Sequence, residues 1–153
     1  MSNIKKFKNC MSRFATGVTI VTSKVDNQFI GITINTFSSL SLNPMLVLFN
    51  LKKNSFCYND ILKSGKFAVN ILSDNQQELS ELFTRKISHE EWKTLYLANK
   101  TLPCFQDSLA YIECDIHKIF DGGDHSIIVG SVINIEEFNN NPLIYYNRNY
   151  HKL

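Results

Sequence analysis

Between Gly31 and Pro44 the chain reads GITINTFSSLSLNP, placing Thr33, Asn35, Thr36, Ser38, Ser39 and Ser41 within nine residues. Hydroxyls, amides and free backbone N–H groups in such a stretch can surround a phosphate without a high density of positive charge. They can equally be the solvated face of a strand. Lys52 and Lys53, at the end of the next apolar run, would supply the missing charge. A second constellation is the turn DGGDHSII, in which Gly122 and Gly123 permit a tight bend and His125 opens the following strand. An imidazole there leans over the mouth of a barrel or merely decorates a hairpin tip. The third is the tail YYNRNYHKL, whose alternating aromatic and basic residues suit stacking on a dinucleotide, or packing on a partner.

Other chemistries find little support. None of the six glycines forms G-x-G-x-x-G, and SGKF lacks the upstream Gly and the Ser or Thr of a P-loop. HEEWK begins like a zinc helix, but Lys93 stands where the second imidazole would be needed, so no metal is expected. The histidines at 89, 117, 125 and 151 are too far apart to form a ligand cluster by spacing. Cys10, Cys57, Cys104 and Cys114 show no C-x-x-C pattern, and Met1 to Lys8 is polar and basic rather than a secretory leader. A reducing, cytoplasmic setting with free thiols is the expectation. The net charge of +2 is spread along the chain, which argues against nucleic acid, and no apolar run is long enough to cross a bilayer.

The elements that must hold these residues follow from periodicity. Phe7, Cys10, Met11 and Phe14 predict an amphipathic helix ending near Gly17, and GVTIVTS a first strand. After the turn signal Asp26-Asn27-Gln28, FIGITINTF has Ile30, Ile32 and Ile34 on one face and Gly31, Thr33 and Asn35 on the other, polar one. MLVLFNL and KFAVNIL read as strands on either side of a short helix, SFCYNDILKS, stopped by Gly65. A helix from about Asn75 to Lys86 is predicted from the capping-box spacing of Ser73 and Gln76 and the shared face of Leu79, Leu82 and Phe83. Residues 87–107 carry no decisive pattern. Leu109 to Phe138 reads as a hairpin, and LIYY as a last short strand. Six or seven strands with two or three short helices favour one antiparallel barrel domain, residues 1–153, over a parallel βαβ fold.

Taken together and in order, FKNCMSRFATGVTIVTS, GITINTFSSLSLNPMLVLFNLKKNS, GKFAVNIL, GDHSIIVGSV and PLIYYNRNYHKL resemble the short-chain flavin reductases that partner two-component flavin monooxygenases, including the 4-hydroxyphenylacetate system. The resemblance implies a mainly β FMN-binding split barrel. In that family it is a six-stranded antiparallel Greek-key barrel with short flanking helices, paired into homodimers with flavin at the subunit boundary. It implies that Thr33, Asn35, Thr36, Ser39 and Ser41 face the ribityl and phosphate groups of FMN or FAD. Asn50, Leu51, Lys52 and Ser55 would form the next part of the pocket, and Phe83, Arg85 and Lys86 would bring an aromatic and basic residues to the flavin. His125 is similar to the histidine near the nicotinamide, and Arg148 and Tyr150 would meet NADH or NADPH.

One departure stands out: relatives often close with Arg-Gly-Arg-Tyr, where this chain has Asn147, Arg148, Asn149 and Tyr150. The implied activity is hydride transfer from NAD(P)H to flavin, with the reduced flavin delivered to a separate monooxygenase. A flavin-binding carrier or redox sensor on the same barrel is the alternative.

Overall fold

The computed structural model describes residues 2–95 and 97–153. Helix α1 (Asn3–Met11) precedes β1 (Thr16–Gly17), β2 (Thr19–Val25), β3 (Gln28–Ile34), β4 (Ser38–Leu42) and β5 (Met45–Lys52). Helix α2 (Tyr58–Ser64) leads to β6 (Lys66–Ile71), and α3 (Gln77–Leu82) and α4 (His89–Lys93) to the short strands β7 (Leu97–Ala98) and β8 (Cys104–Phe105). The long strands β9 (Ala110–Gly122) and β10 (His125–Glu137) follow, then β11 (Ile144–Tyr146) and β12 (Asn149–His151).

Seven strands form one antiparallel ladder in the order β3-β2-β6-β9-β10-β5-β4. Its two end strands are consecutive in the chain, joined only by residues 35–37. Such a linker reaches roughly 14 Å when extended, whereas the edges of a flat seven-stranded sheet stand about 29 Å apart. The sheet must therefore curl until its edges meet. Six strands make the wall of the barrel and β4 adds a short edge, so the barrel is closed by a seam rather than by a continuous ladder.

Alternation fills the interior. On β5, Val47, Phe49 and Leu51 point inward, where they meet Val21, Ile30, Phe67, Val69, Cys114 and Ile128, while Cys57 and Ile61 join them from around α2. A second core lies outside the wall, where Val18, Ile20 and Leu72 pack against Phe83, Ile87, Trp92, Phe105 and Leu143. Strand β2 is thus buried on both faces. Its hydroxyls are satisfied accordingly: Thr22 donates to Pro103 O at 2.8 Å and Ser23 to Lys66 O at 2.7 Å.

Several boundaries differ from the sequence reading. The polar stretch after Ile34 yields a strand that the sequence did not separate, because Ser38–Leu42 forms β4 and pairs along β5. The face of β3 that carries Gly31 and Thr33 is not simply solvated: Gly31 lies against the Phe83 ring, and Thr33 is tied to the α3 segment. Helix α3 is six residues long, shorter than predicted. Gln76 Oε1 accepts from Ser73 N–H at 3.0 Å, but the Ser73 hydroxyl finds no partner, so only half of that capping box forms. The complete one is at α4, where Ser88 Oγ accepts from Glu91 N–H and Glu91 accepts from Ser88 N–H. The tail folds as the hairpin β11–β12, which joins β1 in a separate three-stranded sheet. No helix among the described residues is long and apolar enough to cross a membrane.

Candidate functional site

The seam builds the site. Thr36 Oγ1 donates to Asn50 O at 3.0 Å and accepts from Asn50 N–H at 3.1 Å, fastening the β3–β4 linker to β5. Beside this pair opens a cleft of about 340 Å³ lined by Thr36, Asn50, Gly122, His125 and Ile127. A second cleft of about 190 Å³ is lined by Val18, Thr33, Ile34, Asn35, Thr84, Tyr145 and Tyr150. Asn35 and Thr36 are chain neighbours, so the β3–β4 linker contributes to the lining of both depressions.

Register brings the histidine there. The β9–β10 hairpin turns through Gly123, whose φ of 78° is left-handed, and β10 then pairs His125 with Lys52 and Ile127 with Asn50 on β5. Tyr58 and Ser126 share a hydrogen bond of 2.7 Å, tying the start of β10 to α2. The His125 Nδ1 lies 2.8 Å from Asp124 Oδ1. Hydrogen bonding and charge from that imidazole hold the Asp124 carboxyl below the usual carboxylate range.

The predicted polar residues divide into engaged and available groups. Thr33 Oγ1 donates to Ser80 O at 2.6 Å and its N–H to Phe83 O at 3.0 Å, so Thr33 shapes the second cleft while its hydroxyl is occupied. Ser38 donates to the backbone of Ser39, and Ser55 N–H to Lys52 O, with the Ser55 hydroxyl 3.8 Å from Cys57 Sγ. By contrast, the side chains of Asn35, Ser39, Ser41, Asn50 and Lys52 hydrogen-bond to none of the described residues. A set of amide, hydroxyl and ammonium groups open to solvent here is suited to a polar, anionic ligand.

Other predicted residues lie elsewhere. The pleat of β5 turns Leu51 into the barrel, where it is 1% exposed, so only its backbone borders the seam. Phe83 is fully buried outside the wall, 5.0 Å from Trp92 and 5.3 Å from Phe105 between ring centroids, because Gly31 leaves room for its ring. It does not present an aromatic face to the clefts. Arg85 is paired with Glu91 at 2.6 Å. Lys86 lines a different and larger depression of about 530 Å³ with Phe29, Trp92 and Leu97. Arg148 Nη2 donates to Asn9 Oδ1 at 2.7 Å, which commits it to α1, whereas Tyr150 lines the second cleft with its hydroxyl 2.7 Å from Ser80 Oγ.

Sequence reasoning missed Val18, Thr84 and Tyr145, which reach the second cleft from three separate segments that no spacing connects. It also offered Lys53 as charge for a ligand. The Lys53 ammonium is instead bonded to Gly123 O at 2.7 Å and to Asp121. The buried thiols are inert by position: burial pushes Cys57 up to about 11 and Cys114 up to about 12. Among the described residues no group of His, Cys, Asp and Glu is arranged to hold a metal ion.

Residues 11–153 match the family described as flavin reductase like domain. The chain is similar to the reductase subunit HsaB of a flavin-dependent monooxygenase from Mycobacterium tuberculosis, 33% identical over 153 residues that cover 95% of this chain and 80% of that one. It is similar to the FMN reductase (NADH) SmoA of Agrobacterium fabrum, 35% identical over 94% of this chain and 82% of that one. A probable flavin reductase of Rhizobium meliloti is 37% identical across 92% of this chain, which spans only 46% of that longer protein. Among solved structures, the flavin reductase PheA2 superposes with a TM-score of 0.90 at 34% identity, covering 100% of this chain and 99% of that one. The NADH:FAD oxidoreductase SgcE6 of Streptomyces globisporus, in complex with NAD and FAD fragments, gives 0.92 at 26% identity, covering 99% and 93%. A seam-closed antiparallel barrel, a histidine hairpin at its mouth and a match over nearly the whole length agree: the chain belongs to the flavin reductase-like domain family.

Proposed function

We propose that the protein is a flavin reductase that uses NADH to reduce FMN or FAD and releases the product to a flavin-dependent monooxygenase. The observation that carries this reading is the line of available donors at the seam, Asn35, Ser39, Ser41, Asn50 and Lys52, beside a cleft that contains His125. Amides, hydroxyls and one ammonium match a ribityl chain and a phosphate, so the residues present fit a flavin. When bound, the flavin accepts hydride at N5 from C4 of the nicotinamide, so the protein need supply neither nucleophile nor strong acid.

The residues then have separable tasks. Asn35, Ser39 and Ser41 hold phosphate and ribityl groups; Thr36 and Ser55 keep the pocket's shape, and Asn50 and Lys52 contact the ligand from β5. Lys86, which borders a separate depression, takes no part in holding the flavin at the seam, while Phe83 supports the wall from behind. His125 orients the nicotinamide, and Tyr150 offers its ring to the second cleft. The names of two similar proteins specify NADH. Arg148, the residue first expected to grip a dinucleotide, is engaged with Asn9, which leaves it poorly placed for the extra phosphate of NADPH.

The working form is a homodimer. The β4–β5 turn and the end of β10 lie side by side, since Leu46 pairs with Ser131, and they leave Leu42, Met45, Ile133 and Ile135 exposed. A second copy covering them would also wall the shallow clefts.

The test is to mix purified protein with NADH and FMN, or NADH and FAD, and follow NADH absorbance. Catalytic loss of NADH that requires both protein and flavin is expected. A protein that binds yellow flavin but consumes no NADH would be a carrier.

A further inference from the structure

The tip of the β9–β10 hairpin is held by one side chain from another strand's end. Lys53 follows β5, and its N–H donates to Asp124 O at 3.0 Å. Its ammonium donates to Gly123 O at 2.7 Å and pairs with Asp121. Three bonds from one residue thus span the tip from 121 to 124. Asp124 in turn accepts from His125 Nδ1, the ring nitrogen away from any other described partner, and His125 lines the larger cleft. We infer that Lys53 and Asp124 are positioning residues for His125: Lys53 fixes the hairpin tip, and Asp124 fixes which ring nitrogen carries the proton.

The chemistry is specific. A carboxylate at Nδ1 places the proton there when the imidazole is neutral and leaves Nε2 with a lone pair. Nε2 makes no hydrogen bond to the described residues, so it is the atom His125 has to offer a ligand in the cleft. An acceptor at that place suits the carboxamide N–H of a nicotinamide. Without Asp124 the proton is free to move to Nε2, and the same ring would present a donor to a donor. Neighbouring charges on this group come from Lys52, opposite His125 on β5, and from the Lys53–Asp121 pair behind the tip.

This inference rests on the proposed reductase activity for its kinetic arm but not for its structural one. Nitrogen-15 NMR of the histidine rings in the wild-type protein should show neutral His125 protonated at Nδ1, and Asp124→Ala should shift the proton toward Nε2. In single-turnover stopped-flow reduction of protein-bound FMN by NADH, Asp124→Ala and Lys53→Met should each slow reduction roughly tenfold or more. FMN affinity, read by fluorescence quenching, should hold within a factor of two to three. Lys53→Arg should restore most of the rate, since it keeps a charged donor at the tip. Wild-type His125 protonated at Nε2, or wild-type reduction rates in Asp124→Ala, overturns the inference. Should the wild-type protein fail to consume NADH at all, the proposed function falls, while the NMR comparison still decides the role of Asp124.

Discussion

Gly31 and Gly130 each sit where a methyl group would collide with an aromatic ring. A Cβ at Gly31 would stand 2.5 Å from a Phe83 ring carbon, and one at Gly130 would stand 2.3 Å from Phe67. Gly31→Ala and Gly130→Ala should each destabilise the fold by about 1–3 kcal/mol, the usual penalty of overpacking, as read from urea midpoints. At the mouth, His125→Ala should slow single-turnover flavin reduction roughly tenfold or more while flavin affinity changes little, since its task is orientation. Unchanged reduction in that variant would remove His125 from the reaction. The sequence made His125 and the hydroxyl-rich stretch legible because turn chemistry and clustering are local properties. It could not show which hydroxyls are engaged: Thr33 and Ser39 look alike in a string, yet only Thr33 meets a carbonyl forty-seven positions away. Phe83 misled for a similar reason, because it closes α3 while Gly31, the residue that makes room for it, belongs to β3, some fifty positions earlier.

At the scale of elements, helix α4 is set by its first turn. Glu91 is bonded by Arg85 and by the N–H of Ser88, and these hold its carboxyl at about 2, well below its ordinary value of 4.5. A folded-state value below the unfolded one contributes stability above pH 4.5 and loses it as pH falls toward 2. The wild-type melting temperature should therefore drop through that window, and Glu91→Gln should show a shallower drop with a lower plateau near neutrality. Equal slopes would show that the helix start contributes nothing to acid sensitivity. Hairpin turns were the most legible elements. Asp26 and Asn27 both adopt positive φ, as a two-residue turn between twisted strands demands. The same geometry recurs at Asn147 and Arg148, with φ of 49° and 65°. Position 148 falls where the closing motif that the sequence resembles often has Gly, so the departure lies on a left-handed backbone site. Strand β4 escaped notice because its Leu40 and Leu42 stay exposed and a bulge interrupts its pairing, so it has no buried face to read. Residues 87–107 escaped because the short elements there are held by partners distant in sequence, as when Asn70 accepts from Phe105 N–H and donates to Pro103 O.

For the whole molecule, the split in the barrel follows from arithmetic on strand order and linker length, neither of which periodicity alone supplies. Recognising the family from its ordered motifs supplied what the pattern could not. The exposed apolar end formed by Leu42, Met45, Ile133 and Ile135 makes an association prediction. Sedimentation should report a species of twice 17.6 kDa. Because burying one such side chain contributes about 1.5–3 kcal/mol, Leu42→Asp should weaken self-association at least roughly tenfold. A wild-type protein that sediments as a monomer at micromolar concentration would remove the second copy from the site.

The hydroxyl of Thr36 latches the β3–β4 linker to β5, next to a ladder that holds without it. Replacing that threonine by valine keeps the shape and removes both bonds to Asn50. Amide exchange at Asn50 should quicken roughly fivefold, as expected for losing about 1 kcal/mol of hydrogen bonding, while the global unfolding midpoint barely moves. Local opening beside the cleft and endurance of the fold would then be separately adjustable by evolution: the first through one linker, the second through the ladders.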